Sequence, residues 1–204
     1  MSQARTELRT IMTPEFRVAF PHVFTTAPPM AGSTGPAKYQ VVMLFPKDAD
    51  LSALKNAAGI AAEDKWGAEV IKLKEQGLLR SPFRDGDEHN AKRKATGKQP
   101  LSGYDGHIFI SVSSIEKPPL VDQNVQPIII KEDFYAGCYA QAQVYAHAYN
   151  TAGNMGMTFF LNAIQKTKDG ESFGGKANPQ DIFGSIGGGD APAAPNGSAG
   201  SLFD

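Results

Sequence analysis

From Gly137 to Asn150 the chain alternates between two kinds of side chain without interruption. Cys138, Ala140, Ala142, Val144, Ala146 and Ala148 form one set, and Tyr139, Gln141, Gln143, Tyr145, His147 and Tyr149 form the other. A period of two sends alternate residues to opposite faces of a β-strand. This stretch is therefore read as one long strand with a small apolar face and a face of aromatic and amide groups. Its expected partner is Met155 to Gln165 (MGMTFFLNAIQ), reached through the turn-forming residues Asn150-Thr151-Ala152-Gly153-Asn154.

Shorter strands precede this pair. Glu15 to Thr26 places Phe16, Val18 and Phe20 on one face, with Pro21 capping or bulging the strand. After a Pro- and Gly-rich loop, Lys38 to Phe45 (KYQVVMLF) predicts a second strand that ends at Pro46 and pairs with the first. From Asp50 onward Leu51, Leu54, Ala58, Ala61, Ala62, Trp66, Val70 and Leu73 recur at helical spacing. Asp50 serves as an N-cap and Gly77 as a stop, with a break expected near Gly59. Arg80 to Tyr104 is polar and aperiodic, which predicts a loop or a ragged hairpin. Strands resume at His107 to Ile115 and in a short stretch at Ile128 to Lys131.

Several strands, one main helix and long loops fit a mainly β fold, a small antiparallel barrel of the OB type, better than an α/β sheet with its βα repeats. The spacing leaves a β-sandwich open. Residues 1–14 are expected to form an N-terminal arm, 15–183 the barrel domain and 184–204 a tail. That tail is almost wholly Gly, Ala, Ser, Pro and polar residues, too poor in apolar surface to offset its ordering entropy, and disorder is expected there.

Charge says little in total and more in its distribution. The chain has 20 Lys and Arg against 21 Asp and Glu, a net −1. Every Lys and Arg lies at or before Lys176, while Asp181, Asp190 and Asp204 follow it. Body and tail therefore differ in sign. The longest apolar runs, such as Val41 to Phe45, are too short to cross a bilayer as a helix. MSQARTELRT lacks the apolar core of a secretory signal, so a cytosolic site of action is expected. Cys138, the one cysteine, sits in the small apolar set and reads as a buried hydrophobe rather than a nucleophile.

The Tyr and Gln face admits two readings. Bases stack on aromatic faces at about 1–3 kcal/mol each, and amides tolerate any base sequence, yet cross-strand aromatic pairs also stabilise ordinary sheets, and the alanine face can equally be the one turned outward toward a helix. Arg84, Lys92, Arg93, Lys94 and Lys98 offer cations for a phosphate backbone. Lys38, Lys47 and Lys117, at strand ends, extend the track if they share its face. Asp85, Asp87 and Glu88 bring oxygen ligands together, but a turn at Asp85-Gly86 accounts for them more simply than a divalent metal or a nuclease centre. Gly187-Gly188-Gly189 lacks the strand and the Lys-Ser/Thr of a phosphate-binding loop. No cofactor, metal or catalytic role is expected. Leu202, Phe203 and Asp204 place an apolar and acidic tip on the tail, a tethered hook for a partner protein.

Taken together these residues resemble a family: bacteriophage single-stranded DNA-binding proteins grouped as DUF2815, similar in plan to the T7 type. The resemblance runs from about Phe16 to Phe183. It passes through Lys38-Tyr39, Phe45-Pro46-Lys47, Pro82-Phe83-Arg84-Asp85-Gly86-Asp87, Phe134-Tyr135, Gly137 and Leu161-Asn162-Ala163-Ile164-Gln165. It implies an OB-fold, sequence-tolerant binding of single-stranded DNA during phage replication or recombination in the host cytoplasm, and a tail that recruits replication proteins. Tyr39, Tyr139, Tyr145 and Tyr149 are then the candidate stacking residues. The tail departs from the T7-like pattern in carrying three acidic residues where that pattern is densely acidic, which puts competition of the tail with DNA in doubt. A homodimer is compatible with this reading. The alternative is a virion structural or assembly protein, for which a β domain with a tail is equally normal.

Overall fold

The computed structural model describes residues 3–28, 35–151 and 153–174. The long alternating segment is strand β8, and its closure with its neighbours organises everything else. In chain order the elements are α1 (Gln3–Arg9), β1 (Thr10–Met12), β2 (Phe16–His22), β3 (Tyr39–Pro46), α2 (Ser52–Trp66), α3 (Glu69–Glu75), β4 (Leu79–Arg80) and β5 (Arg84–Asp85). They continue with α4 (Gly86–Ala95), β6 (His107–Ser114), β7 (Leu120–Val121), a 3-10 turn (Lys131–Asp133), β8 (Tyr139–Thr151) and β9 (Asn154–Lys168). The fold is mainly β with few helices.

Pairings run β2–β3 and β3–β6 antiparallel, β6–β9 parallel, then β9–β8 and β8–β2 antiparallel. The path returns to its starting strand, so these strands form a closed circuit. Short strands β4, β5 and β7 add to its rims, and β1 pairs with β8 through Thr10↔Tyr145 to Met12↔Gln143. The expected N-terminal arm thus carries a helix and a strand. β8 and β9 are joined at Thr151↔Asn154, within the turn that the sequence predicts.

Inside the circuit, Phe16, Val18, Met43, Phe45, Ile110, Val112, Phe159, Leu161 and Ile164 are buried against one another. Each large side chain removed from water contributes roughly 1.5–3 kcal/mol. The small face of β8 belongs to the same core, beside Leu54, Ala57, Ala58 and Ala61 of α2. Alanine against alanine leaves little between helix and strand, and α2 packs directly on β8. The β8 alanines therefore face α2 from within the core, which leaves the tyrosine face outward. β3 is buried on both faces, because Val42 and Leu44 point away from the main core into a second cluster with Ala19, Tyr104 and Phe109.

Five local expectations change. The helical stretch breaks at Gly67 (φ 56°), not at Gly59, because a left-handed residue ends α2 at little cost when it is glycine. The cap position of α2 is Leu51 rather than Asp50, which precedes it and accepts from the Ser52 N–H at 2.9 Å, and Gly77 (φ 66°) follows the end of α3. Phe20 leaves the core face. Pro21 has no N–H for the ladder, the register with β3 slips between Ala19 and His22, and Phe20 turns outward at φ 48°.

The polar stretch expected as a loop contains α4. Asp85 caps it by accepting from the Asp87 and Glu88 N–H groups at 2.8 and 3.2 Å, with acidic residues in the first turn and basic ones in the last. No apolar stripe announces this helix, because its buried residues are Gly86 and Asn90. Asn90 instead anchors the following loop, donating to Leu101 O and Asp105 Oδ1 and accepting from Leu101 N–H. Residues 128–130 form no strand; the short strand lies upstream at β7, whose Leu120 O accepts from Ile128 N–H at 3.0 Å.

Three outcomes follow. Phe159→Ala should cost about 3–5 kcal/mol in urea unfolding, and a loss under about 1 kcal/mol contradicts its place in the core. A Cβ on Gly86 would lie 1.9 Å from the Tyr104 carbonyl oxygen, so Gly86→Ala should release α4; unchanged hydrogen-exchange protection of α4 counts against this packing. Burial pushes the Cys138 thiol up to about 11, so at pH 8 a disulfide reagent should label it only on unfolding.

Candidate nucleic-acid interface

The outward residues of neighbouring strands follow from the register. Leu44 sits opposite Phe109 and Val42 opposite Ser111 on β3 and β6, and Ser113 lies beside Phe160 of β9. Around this outer surface the structure collects two groups of aromatic and cationic side chains.

The first group lies where β5 and α4 cover β6. Arg84 holds its guanidinium 4.3 Å from the Phe109 ring centroid and donates to Ser111 Oγ at 2.6 Å. Phe109 touches Tyr104 (centroids 4.8 Å apart) and His89 (5.1 Å), and Tyr104 meets Phe20 edge-on at 6.5 Å. On the β2 side Arg17 lies 4.5 Å from Phe173 and 5.6 Å from Tyr139, while donating to the carbonyls of Gly137 and Glu171. Cations over ring faces are held by the ring quadrupole without a carboxylate. Among the described residues neither Arg84 nor Arg17 has an ion pair. Burial lowers the His89 pKa, and Arg84, Arg93 and Lys92 push it the same way, so the ring is largely neutral at pH 7. Burial raises the Tyr104 hydroxyl to about 12.

Of the predicted phosphate ligands, Arg84, Lys92, Arg93, Lys94 and Lys98 gather at this end, on β5, on α4 and just past it. Lys92 pairs with Glu88 one turn away at 3.6 Å, and Arg93 donates to Gln99 O at 2.8 Å. Lys47 has a different task. Its ammonium lies 2.7 Å from Asp85 and 2.6 Å from Asp87, and it supplies the cation those two carboxylates share. The lysine lowers both carboxyl pKa values and its own is raised by them. Asp87 also accepts from Gly106 N–H. The acidic cluster thus tethers the start of α4 to the end of β3.

The second group is the outward face of β8 with its partner β9. Tyr145 stacks on Phe160 with centroids 6.5 Å apart at 11°, and His147 packs on Phe160 at 4.8 Å. The Arg9 guanidinium lies 4.8 Å from the Tyr145 ring centroid, and Arg9 also donates to its hydroxyl. Lys168 lies 4.4 Å from the Tyr139 ring. Tyr149 faces Gly156, where a Cβ would fall 2.8 Å from its hydroxyl, so the glycine makes room for the ring.

The remaining candidates are dispersed. Tyr39, the first residue of β3, is half-buried on the core-side parity of Val41; Lys38 precedes it. Lys117 lies 5.9 Å from the Phe24 ring. Leu202, Phe203 and Asp204 fall outside the described residues. Reading the sequence alone overlooked Phe109, Tyr104, His89, Arg17, Phe160 and Phe173. The alternation His107, Phe109, Ser111, Ser113 carried a signal for the first of these; the others are assembled by loops and cross-strand register.

Comparison with known proteins gives the same direction throughout. The family model described as Enterobacter phage Enc34, ssDNA-binding protein, matches residues 9–192. Protein p50 of Acyrthosiphon pisum secondary endosymbiont phage 1 is 29% identical over 166 residues, covering 78% of this chain and 83% of that one. The solved single-stranded DNA-binding protein from bacteriophage Enc34 superposes with a TM-score of 0.60 at 20% identity, over 85% of this chain and 89% of the other. Gp2.5, a single-stranded DNA-binding protein encoded by bacteriophage T7, gives 0.56 at 11% identity, over 83% and 97%. The fold is shared with both phage proteins, and by its family match this chain belongs to the Enc34 single-stranded DNA-binding protein family.

Proposed function

We propose that this protein binds single-stranded DNA without sequence preference, coating it during phage DNA replication or recombination in the host cytoplasm. Membership of the Enc34 family across residues 9–192 carries this reading, and a solved Enc34 relative is a complex with ssDNA. Its role is binding rather than catalysis. The tail, with Leu202, Phe203 and Asp204 at its tip, serves in this reading to recruit replication proteins.

The strand circuit supports an OB-fold. Taking β2, β3, β6, β8 and β9 as its strands in chain order, the third and fifth pair in parallel and the fourth closes on the first. In OB-folds the face of the second and third strands takes oligonucleotides, which here is the outer surface of β3 and β6. Phe109 and Tyr104 are buried beneath that surface and support Arg84 at it, so in this reading Arg84, Arg93, Lys94 and Lys98 meet phosphates there while bases stack on aromatic rings at its exposed rim. The β8 tyrosines are the competing face.

Affinity for oligo-dT should fall linearly with salt on logarithmic axes. Arg84→Ala should weaken binding and reduce that slope by about 1, as loss of a phosphate contact does. Absence of oligo-dT binding at low salt refutes the function. A full effect from Tyr145→Ala with Tyr149→Ala, and none from Arg84→Ala, transfers the site to β8. Deleting residues 184–204 should spare DNA affinity and impair partner recruitment.

A further inference from the structure

Phe20 is placed where stability alone gives no reason to put it. Its backbone lies in the left-handed region at φ 48°, which disfavours any residue with a Cβ, and the residue is 44% exposed. The bulge at Pro21 turns it to the mouth of a groove of about 540 Å³. Phe24, Leu101 and Phe173 give the walls their apolar character, His22 and Lys131 add polar groups, and no carboxylate side chain lines it among the described residues.

We infer that this groove accepts an unpaired nucleobase, with Phe20 as its stacking platform. The inference deepens the single-stranded DNA reading and rests on it. The groove borders the buried cluster on the outer side of β3 and β6: Ala19, Leu101 and Phe173 line it and also pack with Tyr104 and Phe109. Arg17 lies over Phe173 at that junction, and the Phe20 ring meets Tyr104. A flat apolar ring carried on an anionic backbone suits this chemistry, because the walls are apolar and the charged side chain at the groove, Lys131, is cationic. The strained bulge holds the platform outward before DNA arrives, so less ordering remains to be done on binding.

The test uses the full-length chain with three Phe20 variants, Arg84→Ala as a control, and two ligands, oligo-dT and an abasic strand of equal length. Phe20→Ala should weaken oligo-dT binding roughly 5- to 150-fold, the range for loss of one stacked base, and leave abasic binding unchanged. Phe20→Trp should restore the oligo-dT affinity. Phe20→Gly, which removes the backbone strain, should melt no lower than the parent yet bind as weakly as Phe20→Ala. Parent-like oligo-dT affinity in Phe20→Ala and Phe20→Gly overturns the inference, as does an equal loss on both ligands. If Arg84→Ala still lowers the salt slope while the Phe20 variants bind normally, the groove assignment falls alone. If the parent chain binds neither ligand, the DNA-binding reading falls with it.

Discussion

The contact on which the rest depends is the close approach of α2 to the alanine face of β8. Were these alanines leucines, helix and strand would stand farther apart, and β8 would not lie in line with β2 on one side and β9 on the other. With Ala57, Ala58 and Ala61 against Ala142, Ala146 and their neighbours, β8 closes the circuit while α2 shields its inner face. The tyrosines and glutamines of β8 are then left outside. Burial of one face is therefore what exposes the other.

A second constraint positions the candidate interface. α4 has no apolar stripe and makes little use of the hydrophobic effect, so its placement depends on polar contacts: Lys47 shared by Asp85 and Asp87, Gly106 on Asp87, Asn90 on the 101–105 loop, and the close pass of Gly86 under the Tyr104 carbonyl. These contacts bring His89 and Tyr104 against Phe109 and set Arg84 over it. The same arrangement pairs Lys47, a candidate phosphate contact, with the two carboxylates. Exposed ion pairs of this kind contribute little stability individually; here their geometric consequence matters more than their energy.

What was legible in the sequence was whatever leaves a period or a breaker. β2, β8 and β9 were readable from the alternation that the pleat imposes, and β3, buried on both faces, from its unbroken apolar run. The helix after Asp50 was readable from its alanine and leucine spacing. α4 was not, since a helix held by a cap and an asparagine leaves no hydrophobic period. Phe20 was misplaced because alternation assumes an unbroken ladder, and Pro21 breaks it.

By itself the sequence determined the strand-rich class, the two faces of β8, the hairpin turn and the inert, buried character of Cys138, because each depends on neighbours close along the chain. Only the tertiary structure decided that the circuit closes through β8 and β2, that Arg84 lies over Phe109 while Lys47 pairs with Asp85 and Asp87, and that Phe20, Tyr104, Phe109 and Phe173 gather in one cluster. Those residues come from four separated segments. Their proximity depends on strand register and on a bulge, which composition and spacing do not encode.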